Sequence, residues 1–321
     1  MDIQLLIENP DTGKIYAPTV EEGIKWTTDR AGSAGSLEFA VVKDNVINFQ
    51  EGNRVQLKVD GQGIFSGYVF KKKRNKDGLI NVTAYDQLRY FKNKDTYIYT
   101  NKTASALLKT IAADFSLVTG DIEETGFNIP ERAQENKTLF DIIQDAIDLT
   151  LINTKEMFVL YDDFGKLALK NIGNMRVPVV INEKEAQDFD YKTSIDGETY
   201  NKIKLFYEDD DTKEMKIFTS KDDANINRWG VLQYFDTIDS VENAQMTADQ
   251  LLELYNNKGR SLSISGVFGD LRVRAGSQVP VFLNLGDIET NNYLIVEKCT
   301  HVFNQNEHTM DLELKGGEYI A

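Results

Sequence analysis

A mainly β chain with an α+β middle, built as two related antiparallel β-barrel domains separated by a small α+β domain, is the fold class that three observations predict. Apolar residues alternate with polar ones at both ends of the chain, and they repeat at helical spacing in between. A pattern from the first part also returns in the last part, offset by 224 residues. The boundaries expected from these changes are 1–96 for an N-terminal β-barrel, 97–190 for the α+β middle and 191–321 for a second β-barrel with an inserted helix.

Among the first strands, Ser36 to Val41 follows a glycine-rich loop from Gly32 to Gly35. Arg54 to Val59 puts Val55, Leu57 and Val59 on one face; Asp60-Gly61-Gln62-Gly63 then turns the chain into Ile64 to Phe70. Asn75-Lys76-Asp77-Gly78 turns it again into Leu79 to Ala84, which makes a meander long enough to close as a small barrel. After Tyr97 the period changes. Leu107, Leu108, Ile111, Ala112 and Phe115 follow Thr103 at helical spacing, and Thr138 with Asp141 forms a capping box for a second helix. A hairpin turning at Asp162-Asp163-Phe164-Gly165 joins Met157–Leu160 to Lys166–Lys170. Strands return with Ile203, Leu205 and Tyr207, an acidic turn over Glu208–Asp211, the return strand at Met215 and Ile217, and Trp229 to Phe235. One helix carrying Ala244, Ala248, Leu251, Leu252 and Tyr255 is expected to stop at Gly259. Leu262–Ser265, Val279–Leu283, Tyr293–Val302 and His308–Leu314 complete the strands.

The repeat sets Gly52-Asn53-Arg54-Val55-Gln56-Leu57 beside Gly276-Ser277-Gln278-Val279-Pro280-Val281. Each is followed by a loop, an apolar strand running into lysine (Lys71 and Lys298), a turn and an alternating strand. A threefold assembly of a chain carrying two similar units would present six of them around one axis.

Composition narrows the function. The chain has 321 residues and a formal charge of −15, so anionic membranes and nucleic acid repel it at long range. Neither specific nucleic-acid binding nor stable membrane binding is expected. Cys299 is the only cysteine, and Met1 to Glu8 has neither the basic stretch nor the apolar run of a signal peptide, so folding in the bacterial cytoplasm is expected. Cys299 and His301 would share a strand face near His308, yet no zinc-ligand spacing occurs. No nucleophile elbow is present, and Gly61 to Gly67 lies between strands rather than before a helix. The carboxylates of Asp162, Asp163 and Glu208–Asp211 read as turn residues, and the basic run Lys71-Lys72-Lys73-Arg74 reads as a guard on a strand edge. No catalytic, cofactor-binding or metal-ligating residue is assigned, and no cofactor is expected.

Trp26-Thr27-Thr28-Asp29-Arg30, Gly35-Ser36-Leu37-Glu38-Phe39 and Ile64 to Phe70 resemble the XkdQ family of PBSX-like defective phages and phage-tail-like bacteriocins. The likeness continues through Val82-Thr83-Ala84-Tyr85-Asp86-Gln87-Leu88-Arg89-Tyr90, Lys92–Asp95, Thr138–Ile143 and Tyr200–Ile203. It extends to Arg274-Ala275-Gly276-Ser277 and Thr300-His301-Val302-Phe303. That family is similar to the baseplate hubs of contractile tails and to the first part of type VI secretion VgrG spikes. The resemblance implies a non-enzymatic homotrimer, a pseudo-six-fold ring between a hexameric tail tube and a trimeric spike. Its implied partners are the tube protein, the spike protein, other baseplate proteins and the tape measure, and its implied destination is the tail or tail-like particle. Two alternatives compete with the hub: a tail-associated cell-wall hydrolase and a carbohydrate- or receptor-binding tail module.

Overall fold

The computed structural model describes residues 1–316 apart from 77, 183–186, 210–211, 239–240, 242 and 285–288. Asp77 of the second turn and Asp210 and Asp211 of the acidic turn therefore lie outside the described residues.

Alternation in the first part becomes β1 (Ile3–Asn9), β2 (Lys14–Tyr16), β3 (Ile24–Asp29), β4 (Ser36–Val42), β5 (Arg54–Val59), β6 (Gln62–Arg74) and β7 (Leu79–Tyr85). Inward positions such as Ile7, Leu37, Val41, Val55 and Leu57 are fully buried in one apolar cluster, while their neighbours face solvent. The β5–β6 hairpin turns at Asp60 and Gly61, both at positive φ (49° and 80°), the twist that suits a two-residue turn.

In the middle lie β8 (Lys94–Tyr99), α1 (Ala104–Asp114), β9 (Thr119–Ile122), β10 (Arg132–Thr138), α2 (Leu139–Thr154), β11 (Phe158–Asp162) and β12 (Leu167–Asn171). Thr103 caps α1 by accepting from the Ala106 N–H, and Thr138 and Asp141 make a reciprocal capping box on α2. Helix α2 ends where Lys155 turns left-handed (φ 62°) and donates its N–H to the Leu151 carbonyl. The stripes of both helices enter a second cluster around Leu107, Leu108, Ile111, Leu139, Ile142 and Ile143.

The last part holds β13 (Ile181–Asn182), β14 (Asp188–Ser194), β15 (Lys202–Glu208), β16 (Met215–Lys221), α3 (Asp223–Trp229), β17 (Gln233–Thr237) and α4 (Ala244–Tyr255). It finishes with β18 (Gly259–Phe268), β19 (Gln278–Asn284), β20 (Glu289–Phe303) and β21 (His308–Gly316). Two expectations are corrected here. Trp229 ends a helix rather than opening a strand, because Asp222 caps the N–H groups of Ala224 and Asn225 and nucleates α3. Gly259 opens β18, and α4 stops three residues earlier at Asn256.

The larger correction concerns barrel closure. A single 13-stranded sheet runs through both ends of the chain, in the order β14-β18-β21-β20-β3-β4-β7-β6-β5-β1-β2, with β19 and β13 branching from β20. Among the described residues no ladder closes either half into a barrel. The cause is the length of β20: its first part pairs with β19 and its last part, Lys298 to Phe303, outruns that partner. Those backbone groups are satisfied by β3 from the other half.

Within this sheet the duplicated pattern is real in geometry. Strands β3-β4-β7-β6-β5 and β14-β18-β21-β20-β19 lie in the same order with the same antiparallel pairings. Gly52 (φ 85°) donates to the Val69 carbonyl at 2.8 Å, and Gly276 (φ 91°) donates to the Val296 carbonyl at 2.8 Å. Val69 donates back to Asn53, and Val296 to Ser277, both at 2.9 Å. A bulge then falls between Val69 and Lys71 in one unit and between Val296 and Lys298 in the other. Chance alternation would not reproduce a corner and a bulge together.

Candidate functional site

Since β20 crosses from one β unit to the other, the residues around that crossing hold the molecule together. Pairing runs from Lys298 opposite Asp29 to Phe303 opposite Ile24. On one face the Thr27 and Thr300 hydroxyls meet at 3.0 Å. On the other, the Trp26 indole stacks on His301, ring centroids 4.8 Å apart and 17° from parallel. Phe303 continues into the apolar cluster of the first unit and is 1% exposed. Arg30 closes the end of the ladder, its Nε donating to both Glu297 oxygens at 2.9 Å.

The middle region is tied to the same place. Arg274 lies over the Tyr161 ring, 3.8 Å from its centroid, and donates from Nη2 to the Asp162 carbonyl at 3.0 Å. Ala275 donates its N–H to Thr28 Oγ1 at 3.0 Å. Asp86 caps the 3-10 turn at Gln87–Lys92, accepting from the Leu88 N–H through Oδ1 and from the Gly35 N–H through Oδ2, each at 2.9 Å. A Cβ on Gly35 would collide with that carboxyl, so the close approach itself requires glycine. Gln87 donates from Nε2 to Asp162 Oδ2 at 2.9 Å, and Gly165 donates to Asp162 Oδ1 at 2.6 Å.

Burial sets the electrostatics. It raises the Asp86 carboxyl well above the usual carboxylate range, helped by the charge of Asp162, and it pushes Asp162 up to about 6. Arg274 is lowered by burial and faces both carboxyls. These carboxyls are each 5% exposed and already bonded to backbone N–H groups, so neither meets a substrate from solvent. Cys299, His301 and the half-buried His308 form a second chain: Cys299 Sγ lies 3.2 Å from His301 Nε2, and His301 Nδ1 lies 2.8 Å from His308 Nε2. His301 Nε2 also sits 2.9 Å from the Val273 carbonyl. Burial pushes the Cys299 thiol up and brings His301 down to about 3, which keeps both neutral. Among the described residues no three His, Cys, Asp or Glu side chains converge as metal ligands, and no helix is long and apolar enough to cross a membrane.

Of the residues weighed for chemistry, the structure brings together Cys299, His301 and His308 as packing, and it places Asp163 in the hairpin turn with Lys166. Glu208 ends β15 and stays exposed. Lys71 to Arg74 form the end of β6, paired with β7 on one side only among the described residues. Sequence reasoning did not assign the Asp86–Gln87–Asp162–Arg274 cluster. Its signal was present: Asp86, Gln87 and Arg274 stand in the strings that carry the family resemblance, but their partners lie 75 to 112 residues away.

The family model described as YQBQ-like matches residues 24–315. The phage-like element PBSX protein XkdQ of Bacillus subtilis (strain 168) is 29% identical over 305 residues, covering 92% of each chain. A tail protein from Neisseria meningitidis MC58 superposes with a TM-score of 0.72 at 13% identity, covering 98% of this chain and 97% of the other. The E. coli c3393 protein, a component of the type VI secretion system with structural similarity to the T4 tail proteins gp27 and gp5, superposes with a TM-score of 0.59 at 10% identity. That match covers 98% of this chain and 78% of c3393. At such identities the two structural likenesses are likenesses of fold.

Proposed function

The chain belongs to the YQBQ-like family, and on that premise we propose that it is the structural hub of a contractile phage-type tail. It forms a trimeric, pseudo-six-fold ring that joins the hexameric tail tube to the trimeric spike. The observation that carries this reading is the duplicated β unit, equal in strand order, glycine corner and bulge, because three chains then offer six like surfaces to the tube and three to the spike. Relatives support it: XkdQ is by name a phage-like element protein, and the fold recurs in tail proteins and in a type VI secretion component.

In this reading residues 1–96 and 191–321 supply the two β units of the ring and residues 97–190 the domain between them. The role is mechanical rather than enzymatic. The buried polar cluster and the β20–β3 ladder transmit the load of contraction between the units. Partners are the tube and spike proteins, further baseplate proteins and the tape measure; the chain is incorporated from the bacterial cytoplasm into the particle.

Gradient sedimentation of lysate from producing cells tests the reading. The chain should run with very large particles and tail-tube protein, and deleting its gene should leave no assembled particles. Normal particles sedimenting without it would overturn the hub.

A further inference from the structure

The duplication leaves two edges unequal. In the last unit β20 continues past its bulge and pairs Lys298–Phe303 with β3 of the first unit. In the first unit the equivalent stretch of β6 also continues past its bulge, as Lys71 to Arg74, and pairs with β7 alone among the described residues. The equivalent of β3 in the last unit is β14, which among the described residues ends the sheet and pairs with β18 alone. Each unit thus has the half of the joint that the other would need, and one chain uses only one joint.

We propose that the chain joins a second copy of itself by pairing Lys71–Arg74 of β6 with Tyr191–Ser194 of the neighbour's β14, repeating between chains the β20–β3 joint made within one. The proposal rests on the ring reading and names the surface that builds it. Register follows from the ladders. Lys71 stands where Lys298 stands, directly after the bulge. Glu38 and Ser263 occupy equal places opposite β7 and β21, so Lys25, Trp26 and Thr27 correspond to Asp190, Tyr191 and Lys192. The joint therefore sets Lys71 opposite Ser194, Lys72 opposite Thr193, Lys73 opposite Lys192 and Arg74 opposite Tyr191.

Side chains agree with that register. Ile24 and Trp26, covered by β20, are 2% and 4% exposed, whereas their counterparts are Phe189, 43% exposed, and a half-buried Tyr191. Arg74 would lie on Tyr191 as His301 lies on Trp26, an arginine–aromatic stack. Even the support beneath is repeated: Lys72 Nζ donates to the Phe49 carbonyl at 2.5 Å, where Cys299 Sγ approaches the Val273 carbonyl at 4.0 Å. Residues 71–76 carry five cations, and residues 188–198 carry four carboxylates against one lysine. Cations on an edge discourage indiscriminate pairing; here they admit an acidic edge and reject another copy of themselves. Lys73 facing Lys192 is the one directly opposed like-charge pair; Lys73 lies diagonal to Asp190 and Ser194, and Lys192 to Lys71 and Asn75.

Cysteines placed across the joint test it in the full-length chain. At the matching position within one chain the Thr27 and Thr300 hydroxyls touch, so Lys73→Cys with Lys192→Cys should form a disulfide between chains on mild oxidation. Lys71→Cys with Lys192→Cys, two residues out of register, is the control, and linkage should be about tenfold weaker there. Light scattering on the unmodified chain gives its mass in parallel. Linked dimers and trimers from the in-register pair alone support the joint. A trimer by mass in which the two pairs link equally, or neither links, overturns the joint and leaves the ring. A monomer by mass with no linkage overturns both.

Discussion

Asp86 and His301 show how single side chains hold this molecule, and each makes a measurable demand. Asp86 satisfies two buried N–H groups at once, so Asp86→Ala leaves both without a partner. Chemical denaturation should show a loss of about 2–4 kcal/mol for that variant. His301 is neutral in the fold because burial brings it down to about 3, while the unfolded chain titrates it near 6.5. Between those values only the unfolded state binds the proton, so this group's contribution is lost as pH falls. From pH 7 to pH 5 the loss is about 2 kcal/mol. Asp162, pushed up to about 6, acts in the opposite sense, since the fold holds its proton where the unfolded chain does not. The difference between wild type and His301→Phe isolates the histidine: the variant should gain stability relative to wild type as pH drops from 7 to 5. Denaturation curves of the pair that stay parallel across that range would show His301 to be charged in the fold.

At the scale of elements, the glycine corner and the bulge decide where each strand turns. Gly52 and Gly276 adopt the same left-handed backbone, but a Cβ at Gly52 meets open space and one at Gly276 lies 2.7 Å from Val159 Cγ1. Gly52→Ala should therefore cost about 1 kcal/mol from backbone strain alone. Gly276→Ala should cost about 3 kcal/mol, and adding Val159→Ala should recover part of it by removing the clash. Thermal unfolding of the three variants beside the unmodified chain reads the difference directly. Equal losses at the two glycines would mean that the corner against β11 has room to move. Loss of the α2 cap in Thr138→Ala should cost about 1 kcal/mol and nothing beyond that helix.

For the whole molecule, the β units share a sheet and, through Phe303, part of a core. Ile24 and Trp26 are covered by β20, and Phe303 sits in the core of the first unit. A fragment of residues 1–96 therefore lacks a strand it needs, and circular dichroism should find it unfolded or aggregated. Phe303→Ala in the full chain should destabilise it by about 3–5 kcal/mol, although the residue lies near the other end of the sequence. A stable, monomeric 1–96 fragment would show that the crossing is an accessory.

What the sequence by itself determined is local: period, caps, turns and the repeated corner are written within a few residues of each other. Thr103, Thr138 with Asp141, Asp60-Gly61 and the alternation at Val55, Leu57 and Val59 all keep their expected roles. Helix α3 escaped because seven residues carry too short a stripe, and its cap at Asp222 looks like any turn aspartate. Only the tertiary structure decided where β20 goes after β19 ends, which joined two expected barrels into one continuous sheet. It alone brought Asp86, Asp162 and Arg274 together across some 190 residues of chain. Strand edges carry no side-chain pattern that names their partner, since backbone hydrogen bonds are the same for every residue. Partner choice is settled by which edge lies near, and nearness is a property of the folded chain.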